Sequence, residues 1–191
     1  LNILRDPENC GACGVLCRQV CNNGRCATPV EIHAEGNTSC ARFDDETVRC
    51  WGANESGQLG DGTTVDRVTP VEVAGVNGAT GMSMAREHTC VTHRTGAASC
   101  WGRLHPYQLG DGLAGMSGAA YGRNLPPVSL IRTGAYRTCA IERDGGRVFC
   151  WGATEGGASI GRPPQAIPGV LGAVDLGVVI TGTCVGSGDG L

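Results

Sequence analysis

Residues 50–62 read CWGANESGQLGDG, and residues 100–112 read CWGRLHPYQLGDG. A third CWG opens at Cys150, where the echo decays to CWGATEGGASIGR. Trp51, Trp101 and Trp151 thus follow one another at intervals of fifty residues, and a fixed period of that length marks a structural repeat. Ahead of each CWG stands another cysteine in a matching frame: TSCARFDDETVRCWG, HTCVTHRTGAASCWG and RTCAIERDGGRVFCWG. TGTCVGSGDGL, near the end, starts a further copy, so the chain holds three repeats and the opening of a fourth.

Each frame reads as a β-hairpin. Short apolar-polar runs are broken at Asp44-Asp45-Glu46, at Arg94-Thr95-Gly96 and at Asp144-Gly145, and Asp-Gly turns well because its second residue accepts positive φ cheaply. The cysteines lie symmetrically about these turns, where cross-strand separations suit a disulfide. Three local bridges are predicted: Cys40 with Cys50, Cys90 with Cys100, and Cys139 with Cys150. A loop that short contributes roughly 2–3 kcal/mol in the chain-entropy view.

After Trp51, GQLGDGTT is a turn cluster that sends the chain into a second hairpin. TPVEVAGV, ending at Val76, supplies alternating Val71, Val73 and Val76 for a half-buried strand, with counterparts expected in PPVSLI from Pro126 and PQAIPGVLGAV from Pro164. Four short strands per fifty residues is the pattern of a propeller blade. The expected fold is all-β: a partial β-propeller of three four-stranded blades plus the start of a fourth. Trp51, Trp101 and Trp151 are read as packing residues between blades. Blade bounds are drawn at about 29–78, 79–130, 131–173 and 174–191.

Composition agrees. Gly makes up 32 of 191 residues, over twice its usual share of about 7%, which favours turns and bulges over helices. The formal charge is -3 with both signs dispersed, so no basic stripe recommends nucleic acid as a partner. All basic residues are Arg, as in GC-rich bacterial coding. No apolar run is long enough to span a bilayer. Twelve cysteines in bridge-like spacing point to an exported protein.

The repeat HTC…CWG…QLGDGTT…PV resembles that of the regulator of chromosome condensation family, in its Cys-containing bacterial secreted form. The resemblance runs from about Glu31 to Leu191. It implies a β-propeller, usually closed with seven blades in that family. Copies two and three depart from the pattern: LHPY stands before Gln108, LAGMSGAAYGRN replaces a regular loop, and SIGR after Ala158 has lost the Gln-Leu-Gly-Asp-Gly core. Varied loops on a rigid frame suit binding, which nominates Arg103, Leu104, His105, Tyr107, Met116 and Tyr121 as loop contacts.

Residues 1–28 form a separate module with Cys10, Cys13, Cys17, Cys21 and Cys26. Zinc would want paired knuckles and often His, a c-type haem would want His where Gly14 stands, and a redox pair would want a βαβ context. A loop-rich disulfide knot is the expectation. The pattern DPENCGACGVLC also resembles a short module found before other domains in myxobacterial exported proteins. There a sixth cysteine precedes the Asp, so the N-terminus looks cut through the module and the C-terminus through a repeat. Five head cysteines and Cys184 leave two odd thiols, for which three accounts compete. The chain is a piece of a longer propeller, Cys184 clasps the head, or Cys184 meets the head of a neighbouring copy.

Chemistry is thinly represented. His33, His88, His93 and His105 are scattered, and Asp61 and Asp111 share a turn position better explained by turn formation than by acid-base work. No nucleophile elbow, P-loop, zinc-protease or EF-hand spacing occurs. Asn37 and Asn54 each start an N-x-[ST] pattern and are kept as glycosylation candidates. No cofactor or metal is expected. The reading is an exported, non-enzymatic repeat protein whose surface binds other proteins, copies of itself included. The alternatives are a subunit of a disulfide-linked extracellular filament and a propeller-type enzyme inhibitor or regulator.

Overall fold

The structure, a computed structural model, describes residues 21–22, 24–103, 117–121, 125–153, 162–179 and 182–188, with the backbone alone at 22, 117–121, 162 and 179. Every regular element among them is a strand. A small hairpin pairs β1 (Cys21–Asn22) with β2 (Arg25–Cys26). The first four-stranded meander is β3 (Pro29–Glu35), β4 (Thr38–Phe43), β5 (Val48–Gly52) and β6 (Arg67–Glu72). The second is β7 (Ala79–Met84), β8 (His88–His93), β9 (Ala98–Gly102) and β10 (Ser117–Tyr121). The third is β11 (Val128–Thr133), β12 (Arg137–Glu142), β13 (Val148–Gly152) and β14 (Arg162–Ala166). β15 (Ala173–Val179) and β16 (Gly182–Ser187) form a two-stranded sheet. These are three blades and the start of a fourth. The first strands of successive sheets, β3, β7, β11 and β15, pack side by side along the axis.

Each four-stranded sheet is stapled at the centre of its second hairpin. Cys40 faces Cys50, Cys90 faces Cys100 and Cys139 faces Cys150 as Cα partners, and all three pairs are disulfides with Cα atoms 4.1 Å apart. That spacing fits the closer, non-hydrogen-bonded kind of antiparallel pair.

The core lies between sheets. Cys40 and Cys50 from the first sheet and Leu59, Val73 and Val76 from its connections meet Met82, Val91 and Trp101 from the second. Cys90 and Cys100 meet Ile131, Ala140 and Trp151. Cys139, Ile141 and Cys150 meet Ala173 and Leu176. Removing an indole of about 200 Å² from water stabilises a junction by roughly 5 kcal/mol before entropy is counted. Trp51 is half-buried and packs with Ala27, Ala41 and Phe43 on the opposite face of the first sheet.

Backbone bonds join the same junctions. Ala79 donates to the Glu46 carbonyl (3.0 Å), Val128 to Gly96 (2.8 Å) and Ala173 to Gly146 (3.1 Å). Each hairpin turn thus holds the first residue of the next blade. Glu46 does this with φ 63°, where the later copies use Gly96 and Gly146.

Two strand expectations are corrected. PPVSLI is not the closing strand of the second repeat; Val128–Thr133 pairs with β12 and opens the third sheet, so a boundary at 130/131 cuts through β11. The closing strand of the second sheet is Ser117–Tyr121, paired with β9. In the first repeat β6 ends at Glu72, and Val73 and Val76 are buried in the connection that follows.

Candidate interaction surface

The repeated motif is a joint between neighbouring blades. Gly52, Gly102 and Gly152 adopt φ of 110°, 114° and 95°, and a Cβ at each would stand 2.2–2.4 Å from the carbonyl oxygen of Asn37, Glu87 or Tyr136. Only glycine fits such a close backbone approach. The next residue then donates back to that carbonyl: Ala53 to Asn37 at 2.9 Å, Arg103 to Glu87 at 2.7 Å and Ala153 to Tyr136 at 2.9 Å. The loop beyond CWG in the first blade reaches the following blade, where Trp101 Nε1 donates to the Gln58 carbonyl at 3.0 Å. A Cβ on Gly60 would stand 2.8 Å from both the Trp101 ring and Val73. Gln58-Leu59-Gly60 is thus the seat for the next indole.

Asn54 organises that loop, and its burial corrects its candidacy for glycosylation. It is fully buried. Its Oδ1 accepts from the Leu59 amide (2.9 Å), and its Nδ2 donates to the Thr63 (3.0 Å) and Val65 (3.1 Å) carbonyls and to Asp61 Oδ1 (3.2 Å). An amide nitrogen so engaged is closed to a glycosyl donor. Asn37 is exposed on the turn between β3 and β4. Asp61 accepts from Thr63, Asn54 and Arg67 Nε. Burial pushes its carboxyl up, but the hydrogen bonds from Thr63, Arg67 and Asn54 outweigh it and hold the group below the usual carboxylate range.

His88, also at a repeat position, serves the scaffold. It is fully buried, and its Nε2 lies 3.0 Å from Thr138 Oγ1 in the next sheet, where Thr138 is the counterpart of Thr89. His93 bridges the Asn77 carbonyl (2.8 Å) and Ser99 Oγ (2.7 Å).

Of the nominated loop contacts, Arg103 is exposed and pairs with Glu87 at 2.8 Å. Tyr121 ends β10 opposite Ser99. Leu104, His105, Tyr107 and Met116 lie outside the described residues, as do Cys10, Cys13 and Cys17. Cys21 and Cys26, Cα partners across the head hairpin, are each disulfide-bonded. Cys184 is an exposed free thiol opposite Gly177. Among the described residues no cluster of three or more His, Cys, Asp or Glu could hold a metal.

At the hairpin-turn end of the axis, a groove of about 370 Å³ draws on three blades: Glu31 and Arg42, Thr80 and Thr92, and Ser129 and Arg132. Glu31 accepts from Arg42 Nε at 2.8 Å and contacts His33 Nε2 at 3.0 Å. Burial raises its carboxyl, and the hydrogen bonds from Arg42 and His33 more than reverse this. Sequence reading missed this site, because its members share no motif and come from three separate copies.

Residues 45–92 match the Regulator of chromosome condensation (RCC1) repeat. The structure is similar to that of human WBSCR16, with TM-score 0.63 and 18% identity over 84% of this chain and 46% of that one. It is similar to Prp20p from Saccharomyces cerevisiae, with TM-score 0.58 and 21% identity over 73% and 38%. The ectodomain of the Physcomitrella patens receptor kinase CR4 gives TM-score 0.51 and 20% identity over 85% and 36%. The chain thus spans less than half the length of each of these structures. Residues 45–92 thus carry a regulator of chromosome condensation (RCC1) repeat, and the stapled meanders and these likenesses give the chain the fold of a partial β-propeller.

Proposed function

We propose that the protein is an exported, non-enzymatic interaction module that binds other proteins through the loops and the axis of its propeller. The observation that carries this reading is the between-blade joint. Trp101, Gly60, His88, Asn54 and Asp61, the residues the sequence repeats or singles out, are taken up by the scaffold. Arg103, where the second copy begins to depart from the repeat, is exposed. Rigid frames with variable loops suit recognition. Two neighbours in fold support it: Prp20p is described by its binding to Gsp1p and histones, and CR4 contributes an ectodomain. Three disulfides inside the core support an oxidising compartment. Residues 1–28 are read as a disulfide module ahead of the blades, and Asn37 as an accessible acceptor for a glycan.

The test replaces residues 103–116 by the sequence of residues 53–66. The reading expects an unchanged melting temperature and loss of the partner retained by the immobilised parent. Retention of the same partner would remove the loop as the contact, and turnover in a hydrolase and redox substrate panel would overturn the non-enzymatic assignment.

A second reading, a disulfide-linked assembly, is favoured by the exposed Cys184 thiol, since Cys139 at the same repeat position is buried in a bridge. Intact mass without reductant decides it: a dimer or ladder that collapses on reduction supports the assembly, and a monomer, with its twelve cysteines either all bridged within the chain or leaving two titratable thiols, rejects it.

A further inference from the structure

We propose that the axial groove receives an acidic protein segment, with Arg42 and Arg132 clasping an Asp or Glu carboxylate; this rests on the interaction-module reading and gives it a site. Arg42 is mostly shielded, and its hydrogen bond among the described residues uses Nε alone, toward Glu31. Its two terminal amino groups remain for a ligand. Arg132 spends Nη1 on the carbonyl of Ile131 (3.1 Å) and sets Nη2 3.4 Å from Asp175, a carboxylate with 69% of its side chain exposed. A long, solvent-exposed pair of this kind holds a guanidinium weakly, so an incoming carboxylate displaces it at little cost. Planar guanidinium groups suit bidentate carboxylate recognition.

The rest of the lining fits the same ligand. Two arginines face one lining carboxylate, and Glu31 already has two partners in Arg42 and His33. The Thr80 and Thr92 hydroxyls, 3.2 Å apart, stand within the groove as further polar contacts. Val30, which lines the groove, is 52% exposed, and Ile32 two positions on is 62% exposed. Apolar residues flanking the acid therefore have a surface to cover, which a free inorganic anion would not use. A volume of about 370 Å³ falls within the usual range of roughly 300–1,000 Å³ for a ligand pocket.

The experiment titrates the full chain into the fluorescein-labelled peptide GVEVEG and follows anisotropy at low salt, with GVQVQG as the neutral control. Saturable binding of GVEVEG alone is expected, weakened at least tenfold by Arg132→Gln and unchanged by Arg86→Gln on the opposite end of the blades. Arg42→Gln should act in the same direction, but Arg132, being more exposed, is the variant that leaves the fold intact. Equal affinity of the parent and Arg132→Gln, or equal binding of GVQVQG, overturns the proposal. Displacement of the peptide by an equimolar amount of inorganic phosphate makes the groove a small-anion site and also overturns it. If GVEVEG does not bind while the loop exchange still abolishes partner capture, the groove is removed and the interaction module stands.

Discussion

Trp101 donates its indole N–H to the main-chain carbonyl of Gln58, 43 residues earlier and in the preceding blade. This contact joins the QLGDG of the first copy to the CWG of the second. At this junction the tryptophan of the second copy sits on the loop of the first, so the two halves of the motif meet across blades.

Gly60→Ala should therefore injure two blades at once. The new methyl would meet the Trp101 ring and Val73 at 2.8 Å, in a backbone with φ +67°. Left-handed strain and overpacking together predict a loss of about 2–4 kcal/mol. Gly62→Ala, with φ +80° and nothing within 4 Å, should lose only the backbone part, about 1–2 kcal/mol. Urea melts of the two variants check the difference, and equal losses would argue against the seat.

Asn54→Ala should be costly although no ligand touches it. The change strips the buried Leu59 amide of its acceptor and leaves the Thr63 and Val65 carbonyls without their donor. An unpartnered buried polar group costs about 1–3 kcal/mol, so a clear fall in urea midpoint is expected. In a glycosylating host, peptide mass spectrometry should find no glycan at Asn54. A modified Asn54 in folded protein would contradict its burial.

Acid should destabilise the protein through its paired carboxylates. Asp61, Glu31 and Glu142 are all held below their usual values, with Arg67, Arg42 and Arg147 among the causes. A depressed folded value means stability that is complete above the unfolded value of about 4 and lost as pH falls through the folded one. The urea midpoint should be flat from about pH 7 to 5 and fall below about 4. Asp61→Asn should lower it at neutral pH and make the acid decline shallower. An unchanged acid slope would mean that Asp61 is not held by its partners.

Breaking one staple should weaken its sheet. Replacing Cys90 and Cys100 together by Ala opens a loop with sequence separation 10 and should lower stability by about 2–3 kcal/mol. Peptide mapping should show the other two bridges intact. Scrambled pairings would contradict hairpins that bring their own cysteines together.

Some of this is legible in the sequence because it recurs. Cysteines centred on turns and tryptophans at a fixed interval are visible without coordinates, and both mark places where one geometry is rebuilt in each copy. What is not legible lacks either a pattern or a distinctive residue type. Ser117–Tyr121 closes the second sheet with SGAAY, which has no β-branched residue, whereas the more strand-like PPVSLI belongs to the next sheet. Asn54 reads as a surface acceptor because the tripeptide pattern says nothing about which side of a loop faces inward. The groove around Arg42 and Arg132 unites residues ninety positions apart, a juxtaposition made by packing alone.

The most direct test of the between-blade joint is hydrogen exchange on Trp101→Phe, which keeps an aromatic ring and removes the N–H held by Gln58. Amides of residues 57–76 in the first blade should lose protection together with those around β8 and β9. A loss confined to β8 and β9 would contradict the joint and leave the repeat as a set of blades that merely sit side by side.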